Sequence, residues 1–164
     1  MRIAIVLGTR PEVMKNWSIV RALRNRGIYV RVLHTNQHYD REMNSSLFEQ
    51  LNYRPDQVFP GAYKLGAAID WVRDYIVSDS IDLLIVNGDT AAALVGALAA
   101  LYEDVQVAHV ESGLRSGDSA MIEERNRIMV DMAAHYLFCY TSERAAYLSE
   151  ISEIRGRIVC VGNT

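Results

Sequence analysis

The sequence predicts an α/β fold: a parallel sheet with helices on both faces. Short runs rich in β-branched residues alternate with longer segments of helical spacing. Several of the short runs are almost continuously apolar, as strands covered on both faces must be. The chain has 164 residues, half of them apolar, which suits one domain with a sizeable core.

Taken in order, strands are expected at residues 3–7, 29–33, 83–86, 105–110, 136–140 and 158–161. Between the first two, Val13, Ile19, Val20 and Leu23 mark one helical face, and Gly27 sits where that helix should stop. Leu47, Phe48 and Leu51 mark a second helix, ended near Arg54-Pro55. Residues 53–63 hold two prolines and at most one short strand, at 57–59. Ala67, Ile69, Trp71, Val72, Tyr75 and Ile76 mark a third helix. Residues 91–101 are so rich in Ala and Leu that they read as a buried helix. Residues 127–134 and 143–149 complete the helices. No repeat, linker or charge block divides the chain.

Composition narrows the function classes. Seventeen basic against 20 acidic residues leave a net charge of −3, which argues against broad electrostatic binding to nucleic acid or anionic membrane. Two cysteines are too few for a disulfide framework and lack metal-ligand spacing, so a reduced cytoplasmic setting fits best. Residues 1–8 are apolar but short, and Thr9-Arg10-Pro11-Glu12 follows at once, so no secretory signal is expected. The apolar run at 91–101 is well under the ~18–20 residues that span a bilayer.

In open α/β sheets ligands gather at the carboxyl ends of the strands, and unusual polar residues stand there. After the first strand, Gly8-Thr9-Arg10-Pro11-Glu12 offers a tight turn, a capping Thr9 and a proline suited to the first helical turn. Free N–H groups with Arg10 favour an anion there, and Lys15 lies one turn on. By pattern alone, an ordinary capped helix start with solvated Arg10 is the favoured reading over an anion site. The pattern is neither G-x-G-x-x-G nor a P-loop. After the third apolar strand stands Asn87-Gly88-Asp89-Thr90, where Asp89 is either a helix cap or a functional carboxylate. The next strand ends in Glu111-Ser112-Gly113-Leu114-Arg115-Ser116-Gly117-Asp118. If these strands are neighbours, Asp89 and Glu111 face one crevice, and paired carboxylates are how a general acid and base are poised. Glu123-Glu124-Arg125-Asn126-Arg127 opens the next helix, where acids suit the dipole; Glu123 is a possible third carboxylate. No histidine pair forms a metal motif, His109 reads as a satisfied core histidine, and no G-x-S-x-G elbow exists.

Together these motifs resemble one family. Gly8-Thr9-Arg10-Pro11-Glu12, Gln37-His38, Gly88-Asp89-Thr90, His109-Val110-Glu111-Ser112-Gly113-Leu114-Arg115-Ser116-Gly117-Asp118, Glu123-Glu124-Arg125-Asn126-Arg127 and Gly162-Asn163-Thr164 follow the order and spacing of the amino-terminal half of the non-hydrolysing UDP-N-acetylglucosamine 2-epimerases. The resemblance implies a Rossmann-like domain, one half of a glycosyltransferase-B-type fold, with a second, UDP-binding domain absent from residues 1–164. It implies interconversion of UDP-N-acetylglucosamine and UDP-N-acetylmannosamine by anti elimination of UDP, through 2-acetamidoglucal, with neither NAD nor metal. The implied catalytic residues are Asp89, Glu111 and Glu123. Arg10, Lys15, Thr90, Arg115 and Arg127 are the implied substrate-binding residues, and Gln37 with His38 an allosteric site for a second substrate molecule. The implied partners are a UDP-sugar, a second copy of the chain and the missing carboxy-terminal domain. The chain departs from the family at Ile122, where proline is usual, in a short 118–122 loop, and at Ala91-Ala92-Ala93, where threonines are usual. A UDP-2,3-diacetamido sugar as substrate, a non-catalytic dimerisation or regulatory module, and half of a glycosyltransferase are the alternatives.

Overall fold

A computed structural model describes residues 1–37, 48, 51 and 53–163. Twelve elements follow in order among them: β1 (Arg2–Leu7), α1 (Arg10–Asn25), β2 (Tyr29–His34), β3 (Gln57–Val58), α2 (Leu65–Ser78), β4 (Leu83–Asn87), α3 (Ala91–Tyr102), β5 (Gln106–Val110), α4 (Ile122–Ala133), β6 (Tyr136–Cys139), α5 (Ser142–Ser149) and β7 (Arg157–Cys160). The expected strands are all present within a residue or two of their predicted ends. The helix expected around Leu47–Leu51 lies mostly outside the described residues; Phe48 and Leu51 pack beside α1.

The sheet has seven strands in the order β3-β2-β1-β4-β5-β6-β7, every pair parallel. Successive side chains of a strand point to opposite faces, and β1 shows the consequence. Ile3, Ile5 and Leu7 pack with Val13 and Val20 of α1. Ala4 and Val6 pack against α2, α3 and α4. The result is three layers with a core on each side of the sheet, so β1 and β4 are apolar throughout.

α3 lies tight against the sheet. A Cβ on Gly96 would meet Val86 Cγ1 at 2.6 Å and Val6 Cβ at 3.1 Å, so no side chain fits there. Flanked by α2 and α4, α3 buries Ala92 to Ala97, as its composition predicted. α4 starts at Ile122, one residue before the Glu123 expected to open it and five before the helical spacing at 127–134. Glu123 and Glu124 extend it because acids in a first turn face free N–H groups. No helix among the described residues is long and apolar enough to cross a membrane.

The strand order turns back between β1 and β4: β1 is followed outward by β2, and β4 by β5. Such a switch point opens a crevice beyond the carboxyl ends of the two strands. The turns after β1, β4 and β5 meet there.

Candidate active site

α1 begins with a reciprocal cap. Thr9 is the N-cap and Glu12 stands three residues on, the spacing of a capping box. Glu12 is buried, yet its carboxylate has four donors. Oε2 accepts from the Gly8 N–H (2.9 Å), the Thr9 N–H (2.8 Å) and the Thr9 hydroxyl (2.8 Å), and Oε1 accepts from the Thr90 hydroxyl (2.7 Å). Burial pushes the Glu12 carboxyl above the usual range, against the pull of these donors. Thr90 also accepts from the Ala93 N–H at 3.1 Å and so caps α3. Glu12 thereby ties the turn after β1 to the turn after β4. Arg10 stands exposed at the start of α1.

The turns that carry Asp89 and Glu111 are neighbours, the condition on which the sequence reading of a shared crevice depended. β4 and β5 are neighbours, with Asn87 beside Val110, and the Gly88 N–H donates to the Val110 carbonyl at 3.0 Å. Gly88 has φ of 70°, and a Cβ there would lie 3.3 Å from Glu111 Oε2. Asp89 is not a helix cap, since Thr90 fills that place. Its carboxylate pairs with Arg127, and the Asn126 amide donates to its carbonyl at 2.9 Å. Glu111 is 7% exposed, with its carboxylate between the Lys15 ammonium and the Tyr140 hydroxyl. Each carboxylate of the pair therefore holds its own cation.

The two glutamates opening α4 differ. Glu124 is buried and accepts from the Ser116 N–H (2.9 Å), the Ser116 hydroxyl (3.1 Å) and Arg127 (3.0 Å). Burial alone would raise the Glu124 carboxyl; these donors outweigh it and hold it low. Glu124 fastens the 116–117 turn. Glu123 is exposed and lies three and four residues before Asn126 and Arg127, hence on the helix face that addresses Asp89.

Other expected residues are placed differently. Arg115 turns inward: its guanidinium pairs with Asp131 at 2.8 Å, donates to the Leu114 carbonyl at 2.7 Å and covers the Tyr147 ring. The Gln37 side chain accepts from the Ala92 N–H at 3.0 Å, at the start of α3. It also lines a cavity of about 560 Å³ with Asn36, Phe59, Pro60, Gly61 and Tyr63. His38 lies outside the described residues. Among those residues no group of three or more metal-binding side chains occurs.

Several working residues escaped sequence reasoning. The Thr9–Glu12 spacing signals the capping box, but nothing local signals the bond to Thr90. Tyr140 closes on Glu111 from 29 residues away. His109 is the satisfied core histidine that was expected: it is fully buried, and its ring nitrogens reach Asp131 and the Gly88 carbonyl.

The family model described as UDP-N-acetylglucosamine 2-epimerase matches residues 21–164. A curated relative of that name from Methanocaldococcus jannaschii is 37% identical over 170 residues, covering 100% of this chain and 46% of its own length. A UDP-2,3-diacetamido-2,3-dideoxy-D-glucuronate 2-epimerase from Pseudomonas aeruginosa is 35% identical over 148 residues, covering 86% of this chain and 42% of its own. Among solved structures, the Methanocaldococcus jannaschii UDP-GlcNAc 2-epimerase in complex with UDP-GlcNAc and UDP matches with a TM-score of 0.89 and 38% identity. It covers 99% of this chain and 47% of that one. The chain spans about half the length of the curated relatives it matches.

Proposed function

The chain belongs to the UDP-N-acetylglucosamine 2-epimerase family, and from that premise we propose that it supplies the acid–base carboxylates of such an epimerase. It is a Rossmann-like half of the glycosyltransferase-B architecture. The reading is completed by a second, UDP-binding domain that closes the cleft and excludes water.

Epimerisation at C2 needs a base on one face of the sugar, an acid on the other and cations for the departing diphosphate. The observation that carries the proposal is the pairing at the switch point: Asp89 with Arg127 and Glu111 with Lys15, on adjacent strand ends. One carboxylate takes the C2 proton as the C1–O bond to UDP breaks, giving 2-acetamidoglucal. Return of UDP and a proton to the opposite face gives the epimer. Glu123 is the third carboxylate of this chemistry. Arg10, Lys15, Thr90 and Arg127 face the diphosphate side, and a diphosphate that draws Lys15 away leaves Glu111 open to the substrate. Arg115 acts through Asp131 in this reading. Gln37 and His38 belong to the second-substrate site, which the cavity beside Gln37 suits.

The protein works as a homodimer in a cytoplasmic setting. Leu101 of α3 and Ile128, Met129 and Met132 of α4 are exposed and apolar around a groove of about 560 Å³, which supports this face as the contact. Both cysteines are free thiols, which supports the setting. The Pseudomonas aeruginosa relative favours a UDP-2,3-diacetamido sugar as the second reading.

The test follows the C2 proton of UDP-N-acetylglucosamine by NMR in D₂O, using the chain completed by a carboxy-terminal half. Deuterium at C2 and appearance of UDP-N-acetylmannosamine are expected, with little turnover by residues 1–164 alone. Unchanged kcat in all of Asp89→Asn, Glu111→Gln and Glu123→Gln would overturn the site.

A further inference from the structure

Behind the crevice lies a fully buried ionic cluster. His109 of β5 is 0% exposed and Asp131 of α4 is 1% exposed. His109 Nδ1 stands 2.7 Å from Asp131 Oδ1, and Nε2 stands 2.9 Å from the Gly88 carbonyl oxygen. Asp131 Oδ2 accepts from the Gly113 N–H at 3.2 Å and from Arg115 at 2.8 Å. The Ser112 hydroxyl donates to the His109 carbonyl at 2.7 Å.

The atoms around the ring decide its protons. A neutral imidazole has one N–H and one lone pair. A carbonyl oxygen can only accept, so Nε2 must carry a proton. Asp131 accepts from Gly113 and Arg115 on its other oxygen, and with Asp131 as the carboxylate partner of Arg115 the donor in the contact with Oδ1 is Nδ1. The other described histidines differ. His34 Nδ1 accepts from the Asn36 N–H at 3.0 Å, and His135 Nδ1 accepts from the Val107 N–H at 3.1 Å. Each of those rings keeps one nitrogen unprotonated.

We propose that His109 is a positioning residue, a doubly protonated imidazole that together with Asp131 sets the spacing of Asp89 and Glu111 from behind. The proposal rests on reading those two residues as the acid–base pair. One ring nitrogen holds the Gly88 carbonyl, and so the peptide leading into Asp89. Asp131, held by the other, fixes Gly113 two residues beyond Glu111. His109 is itself two residues before Glu111. Two turns that have no covalent link nearby are thus held to one buried charge pair. Glu111 needs such support, because its φ of 71° is a strained conformation for a residue with a side chain. The proposal also gives Arg115 its work, as the second cation on Asp131.

The first experiment uses wild-type residues 1–164, labelled with ¹⁵N, and long-range ¹H–¹⁵N NMR of the imidazoles at neutral pH. His109, assigned by loss of its signals in His109→Gln, is expected to show two protonated nitrogens; His34 and His135 are expected to show one each. A singly protonated His109 ring overturns the proposal. The second uses the completed enzyme. His109→Leu is expected to lower kcat about 10- to 100-fold with KM for the UDP-sugar within about threefold, since small misplacements of reacting groups cost on that order. His109→Gln, whose amide can still donate to the Gly88 carbonyl, is expected to recover part of that loss. If Asp89→Asn and Glu111→Gln abolish turnover while a folded His109→Leu leaves kcat unchanged, the positioning role fails and the site stands. If Asp89→Asn and Glu111→Gln leave turnover intact, the site reading itself fails. Should His109→Leu not fold, the wild-type NMR result alone decides.

Discussion

Glu12→Ala strips four donors of their acceptor at once. The Gly8 N–H is buried, and leaving such a group unpaired costs about 1–3 kcal/mol. The Thr9 and Thr90 groups are partly buried and can turn to water, so their loss amounts to a missing cap, about 1 kcal/mol. The sum is about 2–4 kcal/mol, and urea unfolding of residues 1–164 should show it as a lower midpoint at unchanged slope. For a chain of this size Tm should fall by about 5–15 °C. Glu12→Gln keeps an acceptor at Oε2 and a donor toward Thr90, so at acid pH it should lose about 1 kcal/mol. The decisive measurement is the pH dependence of the difference between wild type and Glu12→Gln. Burial raises the Glu12 carboxyl, so the folded chain holds that proton more tightly than the unfolded chain. Stability from that proton is complete below the unfolded value of 4.5 and is lost as pH rises through the folded value. Glutamine has no such proton. The advantage of wild type over Glu12→Gln should therefore shrink as pH rises above 4.5. An advantage that grows with pH would refute the reasoning, because the four donors would then outweigh burial.

Other perturbations have equally definite expectations. In the completed enzyme, Asp89→Asn and Glu111→Gln should each lower kcat by about 10²-fold or more with smaller changes in KM, measured by coupled release of UDP and by C2 exchange. Gly88→Ala should cost about 1–2 kcal/mol in chemical unfolding, since φ is 70° there and the new methyl meets Glu111 Oε2 at 3.3 Å; its turnover should fall more than its stability. Burial lowers the His34 imidazole to about 4, so its contribution is present above 6.5 and is lost as pH falls from 6.5 toward 4. That limb amounts to about 3 kcal/mol, and His34→Asn should flatten it in acid unfolding curves. Leu101→Glu with Met129→Glu should halve the mass seen by light scattering without altering the far-UV CD spectrum.

What the sequence disclosed follows physical range. Apolar strand runs and helical spacing are local, so the α/β class and the order of elements were legible, with strand ends to within a residue or two. The crevice was legible as well, because polar residues interrupt an apolar pattern only at strand ends. The adjacency of β4 and β5 had to be assumed, and the structure supplies it. What stayed hidden depends on side chains meeting over long separations: Thr90 reaches Glu12 across 78 residues and Arg127 reaches Asp89 across 38. Arg115 shows the limit most sharply. The family resemblance implies substrate binding for it, and the position of Asp131 under the loop turns its guanidinium inward. Glu123 and Glu124 are alike in sequence, and only the place of the 116–117 turn makes the second one structural.

Backbone strain gives an independent argument for Glu111. Four described residues other than glycine have left-handed φ: Asn36, Ser80, Asp104 and Glu111. Asparagine and aspartate tolerate that conformation through local hydrogen bonds, and Ser80 lies exposed at the end of α2. Glu111 has none of these excuses, being long, charged and buried. Gly88, at the matching end of the neighbouring strand β4, shows what an unconstrained solution looks like, since its φ of 70° is met by glycine. A glutamate persists in such a conformation only where its surroundings over-determine it. Lys15 and Tyr140 hold its carboxylate, Ser112 and Gly113 are tied to β5, β6 and α4, and the His109–Asp131 pair lies beneath. So much structure spent on one unfavourable residue is hard to account for by stability, which glycine would serve at lower cost. It is accounted for if a carboxylate is needed at that point beside Asp89, which is what removal and return of a C2 proton require.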